Sequence, residues 1–402
     1  MFSGMKSSGN IHRQFSSDPT NVIRLFCIMN IIADSNIPFV KEAFSAFGNV
    51  TLVAGREIDN GKLFDAGMLL VRSVTAVDGK LIKDTPVKFV GTSTAGVDHI
   101  DVGCLKEFGI VFASAPGSNA ESVAEYVASA LVHLSHSLKI SLVGKVIGII
   151  GVGNVGSRVA SVAKALGMRC LLNDPPLQRS GRGCLYSSLD EVLRTSDVIT
   201  MHVPLTLSGL YATVGMANDE FFKKMKPDAI FINSSRGRVI SEDALIIHRK
   251  KLSGVVLDVW KGEPEIDLHT VALANIATPH IAGHSFDGKV NGTRAVYEGA
   301  CEFLGCEKKW DSIIGDSVFE RKIIDVRDSP DPVFTAVQSA YPIMADDAAL
   351  RNSLLKEGRG KCFENMRTKY DKRYEFKHFS VIFSKEQSVA ALTLKGLGFI
   401  CQ

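Results

Sequence analysis

A glycine-rich loop in the middle of the chain constrains its fold more than any other feature. The apolar run Val146 to Ile150 leads directly into Gly151-Val-Gly153-Asn-Val-Gly156. A helical pattern continues from there to Leu166, where Gly167 fits a C-terminal helix cap. The first glycine makes the turn, the second lets a ligand approach the backbone, and the third lets helix and strand pack closely. This succession predicts a Rossmann unit that begins well inside the chain.

The same loop predicts a dinucleotide cofactor. Three glycines at this spacing occur by chance, but Asp174, 23 positions after Gly151, completes the fingerprint. Its carboxylate would accept hydrogen bonds from the adenosine ribose, and Pro175 and Pro176 stand where a 2′-phosphate site usually offers an arginine, so NAD is favoured over NADP. A purely structural glycine turn is the alternative. The predicted cofactor contacts of this unit are Gly151, Gly153, Asn154, Val155, Gly156 and Asp174.

Short apolar runs bounded by Gly, Pro, Asn or Asp alternate with amphipathic stretches along most of the chain. Such alternation predicts parallel sheets covered by helices on both faces. Two sheets are expected, because a long stretch of strand and helix pattern already precedes the glycine loop. The predicted strands are Ile31–Ala33, Leu69–Val71, Val87–Val90, Val146–Ile150, Cys170–Leu172, Val198–Met201, Ala229–Ile232 and Val255–Leu257.

This α/β pattern divides the chain into domains. We expect two Rossmann-like domains, a substrate-binding domain formed by 29–121 with 285–310 and an NAD-binding domain at 122–284. Helices from about Glu121 to Ser137 and from about Gly288 to Leu304 would carry the chain between them. The Asp-Ser-Pro-Asp-Pro run at 328–332 opens a different, charged tail, so 311–402 is predicted to be a small third α/β domain. Residues 1–28 are interpreted as a disordered extension or a misassigned start, with a transit peptide as the minority alternative.

Composition narrows the class of function. Hydrophobic residues make up 46% and charged residues 22% of the chain, and the net charge of +3 is spread without a basic block, so neither nucleic acid nor a membrane surface is expected as a partner. No apolar run is long enough for a membrane span. The eight cysteines show no zinc-like spacing, so no metal site is expected. Reduced thiols in a cytoplasm fit this pattern best.

Three polar fragments follow predicted strands beyond the glycine loop and carry Arg236, Glu263 and His280. Ligands of open α/β sheets bind outside the carboxyl ends of the strands, so these side chains would converge beside the cofactor. Oxidation of a 2-hydroxy acid needs a cation for the carboxylate, which suits Arg236, and a base for the hydroxyl proton, which suits His280 held in orientation by Glu263. Taken singly, each has a structural alternative as an ion pair, a turn residue or a core histidine.

With these fragments the chain resembles the D-isomer-specific 2-hydroxyacid dehydrogenase family. The resemblance runs from about Asn30 to Phe383 and implies that Arg236, Glu263 and His280 are the catalytic set. It rests on Val71-Arg-Ser73-Val-Thr75, Gly91-Thr-Ser-Thr94-Ala-Gly-Val-Asp98-His99, Asn173-Asp-Pro-Pro176, His280-Ile-Ala-Gly283, Gly288-Lys289, Asp346-Asp-Ala-Ala-Leu-Arg351 and Phe363-Glu-Asn-Met-Arg367.

The resemblance also implies partners and further site residues. The matching subfamily oxidises a small phosphorylated 2-hydroxy acid with NAD, and its C-terminal domain forms a homodimer. Asp258 and Gly283 match cofactor contacts, and Ser73 and Thr94 match substrate contacts. Two departures are Val203, where relatives usually carry a threonine near the cofactor, and His284, where the subfamily carries a substrate-contacting tyrosine.

The residues themselves suggest where the substrate phosphate binds. Arg72 directly precedes Ser73 at the end of the strand Leu69–Val71, so we expect Arg72 to bind the phosphate with help from His284. Two other functions stay open at this point. One is another D-2-hydroxyacid dehydrogenase of the phosphoglycerate or hydroxypyruvate type, and the other is a non-enzymatic NAD-sensing protein.

Overall fold

The computed structural model describes residues 29–181, 185–310, 321–356 and 358–402. The predicted extension at 1–28 lies outside the described residues. Within them the α/β class is confirmed, because every strand pairing in the three sheets is parallel. The six cysteines of the described part are free thiols.

The first sheet has five strands in the order β2-β1-β3-β4-β5. The three inner strands are mainly apolar and buried, as expected for a parallel sheet covered by helices, with Asp34 and Thr92 as buried polar residues. The elements of this part are β1 (Asn30–Asp34), α1 (Val40–Phe44), β2 (Asn49–Val53), β3 (Ala66–Val71), α2 (Gly79–Ile82), β4 (Phe89–Thr92), α3 (Val102–Glu107) and β5 (Val111–Ala113).

The second sheet has six strands in the order β11-β10-β9-β8-β6-β7. The helix α4 (Ala120–Leu138) leads into it, and α11 (Phe286–Leu304) leads the chain back, where Val296 and Tyr297 pack on the core of the first sheet. The elements between them are β6 (Val146–Ile150), α5 (Asn154–Ala165), β7 (Arg169–Asn173), α6 (Pro175–Arg179), α7 (Leu189–Thr195), β8 (Val198–Met201), α8 (Asp219–Lys224), β9 (Ile230–Asn233), α9 (Glu242–His248), β10 (Gly254–Leu257), α10 (Leu268–Leu273) and β11 (Ile276–Ala277).

The C-terminal part forms a three-stranded sheet in the order β12-β13-β14. It does not stand apart from the second sheet. Leu350, Leu354 and Phe363 join the apolar cluster beneath that sheet, and the Asp347 carboxylate accepts a hydrogen bond from the Ala277 backbone N–H (2.7 Å) at its outer strand. The elements are β12 (Lys322–Asp325), α12 (Pro332–Ala340), α13 (Ile343–Leu354), α14 (Arg359–Thr368), β13 (Phe379–Ile382), α15 (Ser388–Gly396) and β14 (Ile400–Cys401).

All eight predicted strands are present, with bounds shifted by up to three residues. Six further strands of the described residues, β2, β5, β11, β12, β13 and β14, were not predicted. The edge strand β2 (Asn49–Val53) mixes polar and apolar residues and is largely exposed, so it has no apolar run to mark it. The pattern that opens with Asn36 and Pro38 and stops at Gly48 predicts a longer first helix than α1 (Val40–Phe44). Phe39 adopts a left-handed conformation with φ of 56°, and the helix begins only at Val40. The domain boundaries stay predictions.

Candidate active site

The carboxyl ends of the second sheet bring the predicted residues to one edge. Strand register aligns Ile150 with Met201 and Met201 with Asn233, and it aligns Leu257 with both Asn233 and Ala277. The segments that follow these strands therefore share that edge. They carry Gly151, Val203, Arg236, Asp258 and His280.

The glycine loop fits a dinucleotide. A Cβ on Gly151, whose φ is +87°, would meet the His202 carbonyl at 2.6 Å, and one on Gly156 would meet the Gly151 carbonyl at 2.0 Å, so the turn and the close helix approach both need glycine. Gly153 faces open space, which leaves the backbone free for a diphosphate at the N-terminus of α5, where Asn154 and Val155 lie.

Asp174 lies where the ribose contact is expected. Its Oδ2 accepts a hydrogen bond from the Val152 backbone N–H (2.8 Å), and its Oδ1 accepts one from Leu177 N–H (3.0 Å). The carboxylate is thus fixed against the glycine loop while its remaining lone pairs are free to accept. Val203 packs over Gly151, since a Cβ on that glycine would lie 2.9 Å from Cγ1 of Val203. Because its side chain is apolar, Val203 can form hydrogen bonds with a cofactor only through its main chain.

His280 and Glu263 form the predicted pair. The ring Nδ1 of His280 lies 2.7 Å from Oε2 of Glu263, while Oε1 accepts a hydrogen bond from the Trp260 backbone N–H (2.8 Å). Burial disfavours the Glu263 charge, but the His280 ring and these hydrogen bonds outweigh burial and hold the pKa of Glu263 below its ordinary value. With Nδ1 bound to a carboxylate, Nε2 is the nitrogen available for proton exchange.

Asp258 organises the loop on which His280 lies. Its buried carboxylate accepts hydrogen bonds from the Ile281 and Ala282 backbone N–H groups and from the Thr278 hydroxyl (2.8, 3.0 and 2.7 Å). These hydrogen bonds stabilise the backbone turn around His280 and do not involve a ligand. Burial nevertheless dominates and raises the pKa of Asp258 above its ordinary value. Its role as a cofactor contact stays a prediction, as does that of Gly283, whose Cβ position lies 2.2 Å from the Asn119 amide.

The loop has a second anchor that the sequence analysis missed. Arg373, buried in the C-terminal part, donates from Nη2 to the Ala282 carbonyl (2.6 Å) and to the Ser122 carbonyl (3.1 Å), and its guanidinium lies 4.3 Å from the Tyr341 ring centre. An arginine in a charged tail usually signals exposure, so the sequence held no sign of this contact.

Arg236 reaches across to the first sheet. Its Nε and Nη2 both bind Oδ2 of Asp98 (2.8 and 2.7 Å), and its Nη1 donates to the Ser235 carbonyl (2.8 Å). The guanidinium lies so close to Gly96 that a Cβ there would meet Nη2 at 2.1 Å. The Arg236 side chain therefore lies between the two sheets, and its guanidinium is already paired with the Asp98 carboxylate.

The first sheet supplies the facing wall. Register pairs Val71 with Thr92, so Ser73 and Thr94 follow neighbouring strand ends. The Thr94 hydroxyl lies 2.8 Å from that of Thr92 and donates to the Gly96 carbonyl (2.8 Å), while Ser73 is exposed. Thr94 thus belongs to the wall beneath Arg236, and Ser73 is open to a ligand.

Arg72 and His284 come close together, as expected for a shared ligand. Burial, followed by the charges of Arg367, Lys289 and Arg72, lowers the pKa of His284 well below its ordinary value, so the ring is neutral. Its Nδ1 is shielded from solvent and has no hydrogen-bond partner within the described residues. Lys289 and Arg367 were not predicted as site residues, because their sequence surroundings show no strand-end signal.

Comparison with known proteins identifies the class. Residues 120–282 match the NAD binding domain of the D-isomer specific 2-hydroxyacid dehydrogenases, and residues 325–396 match a domain of unknown function (DUF3410). A solved D-lactate dehydrogenase from Aquifex aeolicus, complexed with NAD and lactic acid, is 28% identical with a TM-score of 0.57, covering 69% of this chain and 96% of that one. The chain belongs to the D-isomer specific 2-hydroxyacid dehydrogenase family.

Within that family the chain is similar over nearly its whole length to erythronate-4-phosphate dehydrogenases. The Salinibacter ruber protein is 41% identical over 369 residues, which cover 88% of this chain and 94% of the relative. The Escherichia coli protein is 40% identical over 376 residues, covering 92% and 98%. A 3-phosphoglycerate dehydrogenase structure from Entamoeba histolytica is 25% identical with a TM-score of 0.60, covering 71% of this chain and 98% of that one.

Throughout the described residues, every helix is too short or too polar to cross a membrane.

Proposed function

We propose that this protein oxidises the C2 hydroxyl of 4-phospho-D-erythronate with NAD, giving (R)-3-hydroxy-2-oxo-4-phosphooxybutanoate, a step of pyridoxal 5′-phosphate (vitamin B6) biosynthesis. The observation that carries this proposal is the His280–Glu263 pair at the cofactor edge, with Arg236 beside it, in a chain about 40% identical to enzymes named for this substrate. Similarity to the 3-phosphoglycerate enzyme is weaker, so that alternative is not favoured.

The proton leaves through His280. A neutral imidazole accepts the C2 hydroxyl proton at Nε2, and the Glu263 carboxylate on Nδ1 stabilises the imidazolium that forms. Bound NAD supplies the hydride acceptor for the C2 hydrogen. General bases of this kind contribute about 100- to 10,000-fold to rate.

Arg236 orients the acid. A substrate carboxylate can exchange with Asp98 on the guanidinium and accept two hydrogen bonds from it. Ser73 and Thr94 would contact the same end of the substrate from the first sheet. The remaining hydroxyl and the phosphate then extend away from the nicotinamide side, toward Arg72 and His284.

The test is a substrate panel. Purified protein is incubated with NAD and with 4-phospho-D-erythronate, D-erythronate, 3-phosphoglycerate and D-lactate, and NADH formation is followed by its absorbance. We expect the highest kcat/KM with 4-phospho-D-erythronate. Faster turnover of 3-phosphoglycerate would replace the proposed substrate, and no turnover of any acid would favour an NAD-sensing protein.

We also propose a cytoplasmic homodimer formed through the C-terminal domain. Four large apolar side chains among the described residues of that domain are exposed, Ile323 on β12, Leu355 after α13, and Val389 and Leu392 on α15 (66%, 85%, 76% and 72%). The proposal places these side chains in the interface, since apolar side chains gathered in one patch mark interaction sites. Light scattering after gel filtration is expected to give a dimer mass for the parental protein and a monomer mass for the double variant Val389→Lys and Leu392→Lys. A parental monomer would refute the proposal.

A further inference from the structure

The helix α14 connects the C-terminal domain to both parts of the active site. Phe363 on this helix is fully buried in the core beneath the second sheet. Gly360 lies against the loop that carries Glu263, since a Cβ there would meet Oε1 of Glu265 at 2.1 Å. Glu364 forms an ion pair with Arg56 of the first sheet's domain. Since both domains contact this one helix, a side chain on it can reach the cleft between them.

Arg367 is the cationic side chain of α14 that reaches the site. Its Nε is shielded from solvent and has no hydrogen-bond partner anywhere in the described part of the chain. Its charge acts on Glu263, on His284 and on Arg72. These three groups belong to the catalytic pair and to the expected phosphate end, so the charge of Arg367 is felt at both.

The surrounding charges leave a positive excess. Burial first, and then the charges of Arg72 and Arg373, lowers the pKa of Lys289 to about 8, so the neighbouring guanidinium groups add to the cost of a further cation. Two carboxylates also act here. Asp34 favours the charged form of Arg72, and Glu263 faces Arg367 but is already bound to His280.

From this placement we propose that Arg367 binds the substrate phosphate, together with Arg72, Lys289 and His284, so that the C-terminal domain completes the substrate site. The proposal rests on the proposed function for the identity of the substrate. A phosphate dianion offers three acceptor oxygens, and an arginine fork can bind two of them at once. One anion would thus occupy the shielded Nε of Arg367 and offset the excess charge.

The shielded partnerless nitrogens argue against a purely structural role. Most buried polar groups are paired, so a buried donor without a partner, such as Nε of Arg367, is available to a ligand that supplies an acceptor. Arg367 and His284 each present an unpaired nitrogen in the same region. Arg359, on the same helix but exposed, provides a matched control.

The first experiment compares two substrates. Arg367→Ala is expected to raise KM for 4-phospho-D-erythronate by about 10- to 100-fold, the range for a lost charge-assisted hydrogen bond, and to change KM for D-erythronate little. kcat should change much less than KM, because the phosphate is bound equally in ground and transition states. Arg367→Lys should recover part of the loss, and Arg359→Ala should behave as the parental enzyme. Equal losses for both substrates, or no loss, would overturn the proposal.

The second experiment does not depend on turnover. Inorganic phosphate is titrated calorimetrically into the NAD-bound parental protein, Arg367→Ala and Arg359→Ala, each shown by its thermal unfolding to be folded. We expect a Kd at least about tenfold higher for Arg367→Ala alone. A parental protein that binds no phosphate, or equal affinity in all three, would contradict the role of Arg367. If this difference is found while no acid is turned over, the proposed function fails and the phosphate site stands.

Discussion

The two ends of the active site treat their charges differently. At the end where the proton moves, Glu263 is paired with His280 and with a backbone N–H, and Arg236 is paired with Asp98. At the far end, Arg367 and His284 each keep a shielded nitrogen that has no partner within the described residues. The paired end finds its partners within the chain, whereas the far end keeps donors that a ligand can pair.

The difference separates orientation from affinity. The Glu263–His280 pair keeps its partners when the substrate binds and serves the transition state, because its geometry is already set. Unpaired cations gain most when an anion binds, so they serve affinity and substrate choice. The comparison therefore predicts that variants of the first end lower kcat and that variants of the second end raise KM.

The largest effect is expected at the paired end. His280→Ala should lower kcat by at least about 100-fold, because the C2 hydroxyl loses its base. The Kd for inorganic phosphate should not change, since the far end is intact. His269→Ala, an exposed histidine of α10, is the control. Steady-state kinetics check the prediction, and near-parental turnover of His280→Ala would remove His280 as the base.

A smaller effect is expected at the cofactor loop. Asp174→Ala removes the carboxylate that favours NAD, so the ratio of kcat/KM for NAD to that for NADP should fall by about 10- to 100-fold, corresponding to about 1.5 to 3 kcal/mol for a charged hydrogen bond. Asp174→Asn removes the charge and keeps one oxygen acceptor, for either the Val152 or the Leu177 N–H group, since these two bind different carboxylate oxygens. Thermal unfolding of both variants separates loss of charge from loss of loop structure. A parental enzyme that prefers NADP would contradict the assignment.

The unpaired end should show its own pH dependence. The pKa of Lys289 is lowered to about 8, first by burial and then by Arg72 and Arg373, so its charge is present below that pH and is lost above it. Phosphate affinity should therefore fall several-fold as the pH rises from about 7 to about 9. Lys289→Met should bind more weakly at low pH and show a flatter profile. Calorimetry at several pH values across this range tests the prediction. Parallel pH profiles of phosphate affinity for the parental protein and Lys289→Met would exclude Lys289 from the phosphate site.

The smallest effect is expected at Asp98, whose carboxylate competes with the substrate carboxylate for Arg236. Asp98 is 54% exposed, so Asp98→Ala should change the free energy of unfolding by no more than about 1 kcal/mol. Its removal frees Arg236 for the substrate carboxylate, so KM should fall slightly or stay unchanged. If Asp98 also positions the guanidinium, kcat should drop. Denaturant unfolding and kinetics test both statements. A large rise in KM would instead make Asp98 a substrate contact.

How much the sequence reveals differs between the same two ends. Gly151, Asp174, Arg236 and His280 each follow a strand of the second sheet, and the topology of a parallel sheet collects such positions at one edge. The local sequence pattern that marks a strand end therefore suffices to predict these four site residues. The edge strand Asn49–Val53 shows the limit, because an exposed strand has no apolar run to mark it.

Lys289, Arg367 and Arg373 could not be predicted in this way. Each lies on a helix or in a loop far along the chain from the strand ends it meets, and only tertiary packing brings it there. Arg373 contacts the Ala282 carbonyl across 91 positions of sequence. Such contacts depend on how whole domains dock, for which a single sequence has no periodic signal.

The shared core beneath the second sheet has a consequence for synthesis on the ribosome. The last strand of that sheet ends at Ala277, yet Phe363 completes its apolar cluster 86 positions later. Translation proceeds at about 5 to 20 residues per second, so the apolar cluster beneath the second sheet stays uncovered for roughly 4 to 17 seconds. That is long enough for chaperones or neighbouring nascent chains to bind it. Ribosome-bound chains arrested after residue 310 should thus bind an apolar dye more strongly than chains carrying all 402 residues.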